Sequence, residues 1–243
     1  MLNFEDNQEQ DFQSFIAEFQ HLSEKDRIKR LWALIGQMTL ALNNLHSLGF
    51  AHRNLKPSNI FINQNDGSVR FGAQKFYHAQ SNNHNVTISV DPVVDSGIIY
   101  FENVFKDHEG IFDFAVGLAE QTVTFMPDKK PQDDGNDKKI VAYWSNGCIR
   151  YSDKKIFGNS KFKCGQKIGM EINMDVEPRT LFFFVDDVQQ KNYVIGIPDA
   201  LRFWSFIQKD NSSYTISLFE RRGASCVQDI EGSTAWEYES YYK

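Results

Sequence analysis

The chain has 243 residues, of which 41% are hydrophobic, and its 26 basic and 32 acidic residues give a formal net charge of -6. It has no run of about 18 apolar residues, so we predict no membrane span, and its dispersed basic residues argue against nucleic-acid binding. The three cysteines form no C-x-x-C pair and do not cluster with histidines. We therefore expect reduced, mostly buried thiols, no metal or other cofactor, and a cytoplasmic location.

Two amphipathic helices are predicted near the N-terminus. Phe12, Phe15, Ile16 and Phe19 recur at helical spacing and predict a helix over residues 11–20. A longer set of apolar residues predicts a second helix, over residues 31–48, with a buried face: Leu31, Leu34, Ile35, Met38, Leu42 and Leu45. Ser23 and Asp26 form a helix-capping signal a turn or more before it.

Residues 52–59 read H-R-N-L-K-P-S-N and resemble the catalytic loop of protein kinases, H-R-D-L-K-P-x-N. His52, Arg53, Lys56 and Asn59 match that pattern, but Asn54 stands where kinases have the Asp that positions and deprotonates the substrate hydroxyl. An amide cannot act as a general base near neutral pH. The resemblance therefore implies a kinase relative that has lost its catalytic base.

A second kinase landmark is also altered. Residues 69–72 read V-R-F-G, which is similar to the kinase Asp-Phe-Gly motif at Phe71 and Gly72, but Arg70 replaces the Asp that binds magnesium. A permanent cation repels a metal ion rather than binding it. Arg70 is either a surface residue of a decayed loop or a mimic of the metal's charge that contacts a phosphate.

Other parts of a kinase are missing. No G-x-G-x-x-G loop and no V-A-I-K strand precede residue 52, so the chain lacks the small lobe that holds ATP. The kinase resemblance covers about residues 1–77, and we expect no enzymatic activity. Two alternatives stay open: the protein keeps ATP binding or phosphoryl transfer, with a small lobe encoded elsewhere, or the chain is a fragment of a longer protein that joins a kinase to the domain described below.

Beyond a polar stretch at residues 81–85, the hydrophobic pattern changes to a period of two. The strand pattern recurs in several segments, including residues 112–119, 168–175 and 214–218, with turn signals between them. The segment 181–185 is apolar on both faces and predicts an interior strand. Many short strands separated by turns indicate an antiparallel β-sandwich, which gives an α+β chain overall.

Residues 97–102 (G-I-I-Y-F-E), 114–119 (F-A-V-G-L-A) and 162–170 (F-K-C-G-Q-K-I-G-M) are similar, in order and spacing, to three strand motifs of SPRY domains. This half of the chain therefore resembles an SPRY domain over about residues 86–220. Asp175 and residues 180–184 resemble its next hairpin, with Asp186 and Asp187 in place of the usual Asn-Gly. The resemblance implies a non-catalytic module that binds an unidentified protein through variable loops.

The candidate binding positions lie in residues 125–139, in the turn around Asn146 and in residues 187–192. They are polar or charged: Asp128, Lys129, Lys130, Asp133, Asp134, Asn146 and Asp187. A loop of this composition can equally be a solvated connection without a partner. Exposed aromatic residues would favour binding, and Tyr143, Trp144, Tyr151 and Trp204 are candidates that could also belong to the core.

Two segments leave their structure open. Residues 144–148 read W-S-N-G-C, which is similar to a later kinase helix, but the surrounding pattern favours a strand and a turn. The aromatic and acidic tail either packs on the sandwich or remains loose. The predicted organisation is a kinase-like segment at 1–80, a sandwich at 86–222 and a tail at 223–243.

Overall fold

The structure is a computed structural model that describes residues 9–47, 60–63, 69–71, 74–78, 84–108 and 113–238. The chain divides into two compact units, Met1–Gln74 and Lys75–Lys243. Within the described ranges, neither α-helix combines the length and the apolar composition that a membrane crossing requires.

The described residues of the first unit form two helices and a small sheet. Helix α1 spans Phe12–Glu18 and continues as a 3-10 turn at Phe19–His21, and helix α2 spans Glu24–Ser47. Strands β1 (Glu9–Asp11), β2 (Ile60–Asn63) and β3 (Val69–Phe71) pair antiparallel in that order. Both predicted helices are therefore confirmed.

Helix α2 begins at Glu24 rather than at residue 31, because Ser23 caps it. The Ser23 hydroxyl donates a hydrogen bond to the Asp26 carboxylate (2.7 Å) and accepts one from the Asp26 backbone N–H (3.2 Å). A side-chain oxygen at this position satisfies a backbone donor that has no partner inside the helix. The capping signal marks the true start of the helix, which the apolar spacing placed too late.

The apolar face of α2 is only partly covered. Leu34 is 5% exposed, as predicted, but Leu31 and Ile35, predicted to be buried, are 39% and 49% exposed. Ile28 and Trp32 on the same helix are 49% and 69% exposed. Helical spacing identifies residues that share a face; it does not establish that another element covers that face.

The second unit is a sandwich of two sheets. The six-stranded sheet has the order β10-β9-β8-β7-β15-β5 and is antiparallel throughout. Its strands are β5 (Val86–Val94), β7 (Ala115–Glu120), β8 (Ile140–Trp144), β9 (Ile149–Tyr151), β10 (Lys154–Ile156) and β15 (Leu201–Ile207). Only β8, β9 and β10 follow one another through short turns, as antiparallel neighbours often do, whereas residues 121–139 form a long loop between β7 and β8.

The eight-stranded sheet has the order β17-β14-β12-β11-β6-β16-β4, with β13 paired to β12. Its strands are β4 (Gln74–Tyr77), β6 (Ile98–Lys106), β11 (Lys167–Asn173), β12 (Thr180–Val185), β13 (Val188–Gln189), β14 (Asn192–Ile195), β16 (Ser213–Arg222) and β17 (Thr234–Glu237). The predicted β-sandwich is confirmed, and β12 is the interior strand that its sequence indicates.

Aromatic side chains join the two sheets. Phe101 of β6 stacks on Phe203 of β15 with ring centroids 4.7 Å apart, and Phe219 of β16 packs edge-on against both rings, at 5.5 and 5.6 Å. Tyr143 of β8 similarly meets Phe183 of β12 at 4.9 Å. Offset and edge-to-face pairs of this kind add to the stabilisation that comes from burying apolar surface.

The alternation predicted for β16 breaks in the middle of the strand. Tyr214 and Ile216 are buried in the core, but a register shift between Ile216 and Leu218 reverses the faces beyond it. Phe219 rather than Leu218 then packs against the core. A β-bulge inserts one extra residue and moves the following side chains to the opposite face, which a period of two cannot anticipate.

Two turns form as their sequences indicate. Asp186 and Asp187 both have positive φ (48° and 65°), the backbone that a tight two-residue hairpin requires, so β12 and β13 pair without an Asn-Gly sequence. Residues 144–148 form the end of β8 and a turn in which Gly147 has φ 87°, which confirms the strand-and-turn interpretation over the kinase-like helix.

Strand pairing extends the sandwich beyond residues 86–222 at both ends. Strand β4 pairs with β16, and His78 donates its backbone N–H to the Ser212 carbonyl at 2.8 Å. In the tail, β17 runs parallel to β14, with Trp236 opposite Val194. The tail therefore packs on the sandwich through Glu237 and Tyr238, and residues 239–243 lie outside the described ranges.

The inter-sheet aromatic cluster gives a stability prediction. Phe203→Ala removes a fully buried ring that contacts Phe101 and Phe219, and we expect it to lower the free energy of unfolding by about 3–5 kcal/mol. Chemical denaturation of the full chain measures this change. Phe157→Ala is the control because that ring is 65% exposed, and we expect less than about 1 kcal/mol. Equal losses for the two variants would contradict this account of the core.

Candidate functional site

The kinase-like motif lies largely outside the described residues. His52, Arg53, Asn54, Lys56, Asn59 and Gly72 fall in that part of the chain. Arg70 and Phe71 lie in β3, opposite Phe61 and Ile60 of β2, and only their backbone pairing is described. The roles assigned to these residues remain predictions.

The loop that follows β7 is attached to the sandwich. Val123 and Phe125 pack against a second apolar cluster, and the Phe125 ring lies 5.7 Å from the Trp204 ring. Pro131 is buried, and the Asp133 carboxylate accepts a hydrogen bond from the Lys130 backbone N–H at 2.8 Å. These contacts mean that the loop is more than a solvated connection.

Asp128 fixes the first part of this loop against the start of β5. Its backbone N–H donates to the Asn85 carbonyl (3.1 Å), and its carboxylate accepts from the Asn85 N–H (3.2 Å). The His84 Nδ1 lies 2.9 Å from the same carboxylate. These hydrogen bonds lower the pKa of the Asp128 carboxyl, the His84 contact first and the Asn85 N–H second. Together with Met126, which is 52% exposed, the segments line a pocket of about 410 Å³.

The loop covers the outer face of the six-stranded sheet. Trp204 lies fully buried on that face, opposite Gly117 of the neighbouring strand. A Cβ at Gly117 would collide with the Trp204 indole and the Val141 carbonyl, so only glycine permits this close approach. The indole therefore packs closely against β7 at Gly117, and Phe125 of the loop contacts it.

A second, smaller pocket of about 180 Å³ opens where the loop meets the edge of this face. Lys130 and Gln132 come from the loop, and Asn146 comes from the turn after β8. The sheet supplies Trp144, Arg150 and Lys155, with Phe157 just beyond β10. Two predicted binding residues, Lys130 and Asn146, are thus brought together at one pocket.

The other predicted binding residues are distributed over separate places. Lys129 and Asp134 are exposed on the loop, and Asp128 belongs to the larger pocket. Asp187 lies in the turn between β12 and β13, where its carboxylate pairs with the Lys167 ammonium at 3.5 Å. Asp187 therefore lines neither pocket.

The aromatic candidates named from sequence belong to the core. Tyr143, Tyr151 and Trp204 are at most 2% exposed, and Trp144 is 8% exposed. The aromatic side chain exposed near the small pocket is Phe157, at 65%, which the sequence interpretation missed. Its position after the three-residue strand β10 gives no periodic signal that would have identified it.

A buried carboxylate on the other sheet fixes the start of the tail. Glu171 of β11 is 1% exposed and accepts hydrogen bonds from the Ser225 hydroxyl (2.5 Å) and the Cys226 N–H (3.1 Å). The Nη1 of Arg222 lies 3.4 Å from the Glu171 Oε2, and the Arg222 guanidinium lies over the Tyr100 ring with its Cζ 3.8 Å from the ring centroid. The expectation of mostly buried thiols is wrong for two of the three cysteines, because only Cys148 is buried, Cys164 is half-buried and Cys226 is exposed. Partial desolvation and the nearby Glu171 nevertheless raise the pKa of the Cys226 thiol to about 11, which favours the protonated thiol at neutral pH.

No protein-family model matches the chain. Among curated proteins, it is 29% identical over 142 residues to Eukaryotic translation initiation factor 2-alpha kinase 2 of Plasmodium berghei, covering 54% of this chain and 5% of that protein. It is 39% identical over 62 residues to Mitosis inhibitor protein kinase mik1 of Schizosaccharomyces pombe, covering 26% of this chain and 10% of that protein. The chain therefore spans a tenth or less of the curated relatives it matches.

Among solved structures, the SPRY domain of human HERC1 is similar with a TM-score of 0.47 and 16% identity, over 59% of this chain and 87% of that one. The TRIM65 PSpry domain has a TM-score of 0.39 and 11% identity, over 68% of this chain and 84% of that one. The comparisons thus find protein kinases and SPRY domains, the two kinds of protein that the sequence motifs resemble. The sandwich itself is established by its strand pairing.

The Asp128 contacts give a pH prediction. We expect a carboxyl-detected NMR titration of the full chain to show a pKa for Asp128 below the ordinary aspartate value, and His84→Ala to raise it. Because the pKa is lowered by folding, the contacts stabilise the loop above the ordinary pKa, and this contribution is lost as the pH falls through the lowered value. An unchanged Asp128 pKa in the His84→Ala variant would show that the imidazole is not the main cause.

Proposed function

We propose that the chain is a non-catalytic protein-interaction module whose partner binds at the loop after β7 and the adjoining turn at Asn146. The observation that carries this proposal is the attachment of that loop. Val123 and Phe125 hold its beginning on the sheet, while Lys129 and Asp134 stay exposed at its tip. A rigid scaffold that presents polar side chains on a fixed loop is the usual arrangement of a recognition surface.

The SPRY-like sequence motifs favour the same function. They lie in β6, β7 and β11, which form the framework of the sandwich rather than the loop. The framework motifs thus account for the fold, and the loop sequence is the part free to vary with the partner. For this reason we propose that the side chains of the loop determine which partner binds.

The kinase-like segment is proposed to be non-catalytic. Asn54 replaces the catalytic base, Arg70 replaces a metal ligand, and residues 1–51 contain neither the glycine-rich loop nor the phosphate-pairing lysine strand. Phosphoryl transfer depends on positioning and on charge stabilisation, and these replacements remove parts of both.

One observation favours a second candidate function. The curated relatives are protein kinases, and the chain spans only 5% and 10% of their lengths. A piece of a longer kinase-related protein would have this relation to its relatives. In that case a nucleotide-binding lobe elsewhere in the protein would restore ATP binding, with the sandwich as its interaction domain.

The first functional prediction concerns phosphoryl transfer. We expect the purified chain to transfer no radiolabelled phosphate from ATP to itself or to a generic substrate above background, because it lacks the base and a metal ligand. The double variant Asn54→Asp, Arg70→Asp should remain inactive, since residues 1–51 still supply neither the glycine-rich loop nor the phosphate-pairing lysine. Transfer by the natural chain that Asn54→Ala abolishes would favour the kinase alternative.

The second functional prediction concerns the loop surface. The full chain is used to capture proteins from a native lysate, and recovery is quantified by mass spectrometry. We expect Lys129→Ala with Asp134→Ala to reduce recovery of the main partner at least about fivefold, as removal of interface contacts worth about 1 kcal/mol does. The melting temperature should stay unchanged because both side chains are exposed.

Two further variants serve as controls for the loop surface. Asp187→Ala tests a charged turn remote from both pockets, and recovery should be unchanged. His52→Ala tests the kinase-like segment, and recovery should again be unchanged. Loss of the partner with His52→Ala alone would place recognition on the kinase-like segment and refute the proposed surface.

A further inference from the structure

Two cations lie side by side at the edge of the six-stranded sheet. In the pairing of β9 with β10, Arg150 is directly opposite Lys155, and both line the 180 Å³ pocket. Like charges at directly opposed positions of an antiparallel pair are destabilising. The effect of both charges reaches the neighbouring Cys148: burial raises the pKa of its thiol, whereas Lys155 and Arg150 each act to lower it.

No carboxylate of the described residues neutralises this pair. The ion pairs formed within the described ranges do not include Arg150, Lys155 or Lys130, the third cation of the pocket. Asp113, an exposed residue just before β7, is the one acid among the lining residues. Three cations against one carboxylate leave a formal charge of +2 in a pocket that a single side chain can fill.

Two of the residues that line this pocket have buried hydrogen-bond donors that lack an acceptor. The Nε1 of Trp144 and the Nε of Arg150 are buried and have no partner, and Trp144 as a whole is 8% exposed. A buried donor without an acceptor costs free energy that a bound acceptor recovers. Buried donors without an acceptor and positive charge thus occur on residues that line the same pocket, and both favour an anionic acceptor.

We propose that this pocket binds an aspartate or glutamate side chain presented by an extended segment of a partner protein. This assignment rests on the proposed interaction function and names the chemistry of the partner. A carboxylate can accept hydrogen bonds from a guanidinium and from an indole N–H, and charge-assisted bonds of this kind are the strong ones. The exposed Phe157 ring beside the pocket offers an apolar contact to the neighbouring residues of the segment.

The size of the pocket favours a single side chain over a whole small-molecule ligand. Pockets for small-molecule ligands usually have volumes of about 300–1,000 Å³, well above the 180 Å³ of this one. A phosphorylated side chain, with a charge of about -1.5 to -2, would also be attracted by the three cations, so the test below compares the two kinds of acid directly.

The test uses the full chain and synthetic peptides. A library of random 12-residue peptides displayed on phage is selected on the immobilised chain, with the Lys155→Glu variant as the competitor in solution. The enriched peptides are synthesised with a fluorophore, each as an acidic form, a form with Glu→Gln or Asp→Asn, and a form with phosphoserine at that position. Dissociation constants are measured by fluorescence anisotropy.

We expect the selected peptides to be enriched in Asp or Glu, and the amide forms to bind at least about tenfold more weakly, as loss of a charge-assisted contact predicts. Arg150→Gln and Lys155→Glu should lower the affinity of the chain for the acidic peptide by a similar factor, and Asp113→Asn should raise it. Lys154→Gln is the matched control, because that side chain lies over the Tyr151 ring, 5.4 Å from its centroid, and does not line the pocket. The affinity of the Lys154→Gln variant for the acidic peptide should stay within about twofold of the affinity of the natural chain.

Melting temperatures of all variants separate binding from folding. Arg150 is half-buried, and the exposed Lys155 provides a second variant if Arg150→Gln lowers stability. The proposed carboxylate site would be refuted by any of four outcomes. The selected peptides lack acidic enrichment, or no peptide is selected against the Lys155→Glu competitor. Alternatively, Lys155→Glu and Lys154→Gln lower the affinity equally, or the phosphoserine form binds more tightly than the acidic form. If capture of lysate partners requires Lys129 and Asp134 but not Arg150, the carboxylate site is refuted while the proposed interaction function stands.

Discussion

The six-stranded sheet is apolar on both faces, and this constraint determines what the rest of the second unit does. On β7, Val116 and Leu118 face the eight-stranded sheet, while Ala115 and Ala119 face outward and are equally buried. The eight-stranded sheet covers only the inner face. The outer face needs its own cover, because exposed apolar surface of this extent is unfavourable in water.

That cover comes from Trp204 and from the loop after β7. The small residues Gly117 and Ala142 leave room for the indole on the outer face, and Phe125 of the loop closes over it. The loop is therefore part of the fold at its beginning and free to carry polar side chains at its tip. The small pocket with Lys130, Arg150 and Lys155 forms at the edge of this cover. The candidate site therefore lies where it does because the outer apolar face of the six-stranded sheet must be covered.

Sequence reasoning could predict the sandwich because its signals are local. Alternating residues in β7 and β11 report their faces directly, and turn residues such as Asn146 separate the strands. The bulge after Ile216 was not predictable, since it depends on pairing with β6. The pocket was not predictable for the same reason. Arg150 and Lys155 become neighbours only through the register of β9 and β10, and Lys130 reaches them only because the loop folds back over the sheet.

For the kinase-like segment, the sequence provides the motif residues and the structure describes mainly the helices, whereas for the sandwich both describe the same strands. Its motif residues around Asn54 are known from sequence alone, whereas the described part of α2 shows a helix whose start is set by the Ser23 cap. Local capping and helical propensity can form such a helix without burying its apolar face, and Trp32 is accordingly 69% exposed. The sandwich has the opposite character, because its strands are held by contacts between residues far apart in sequence, such as Phe101 with Phe203. Among the described residues, the buried core therefore lies mainly in the second unit, and this is where a core substitution should lower stability most.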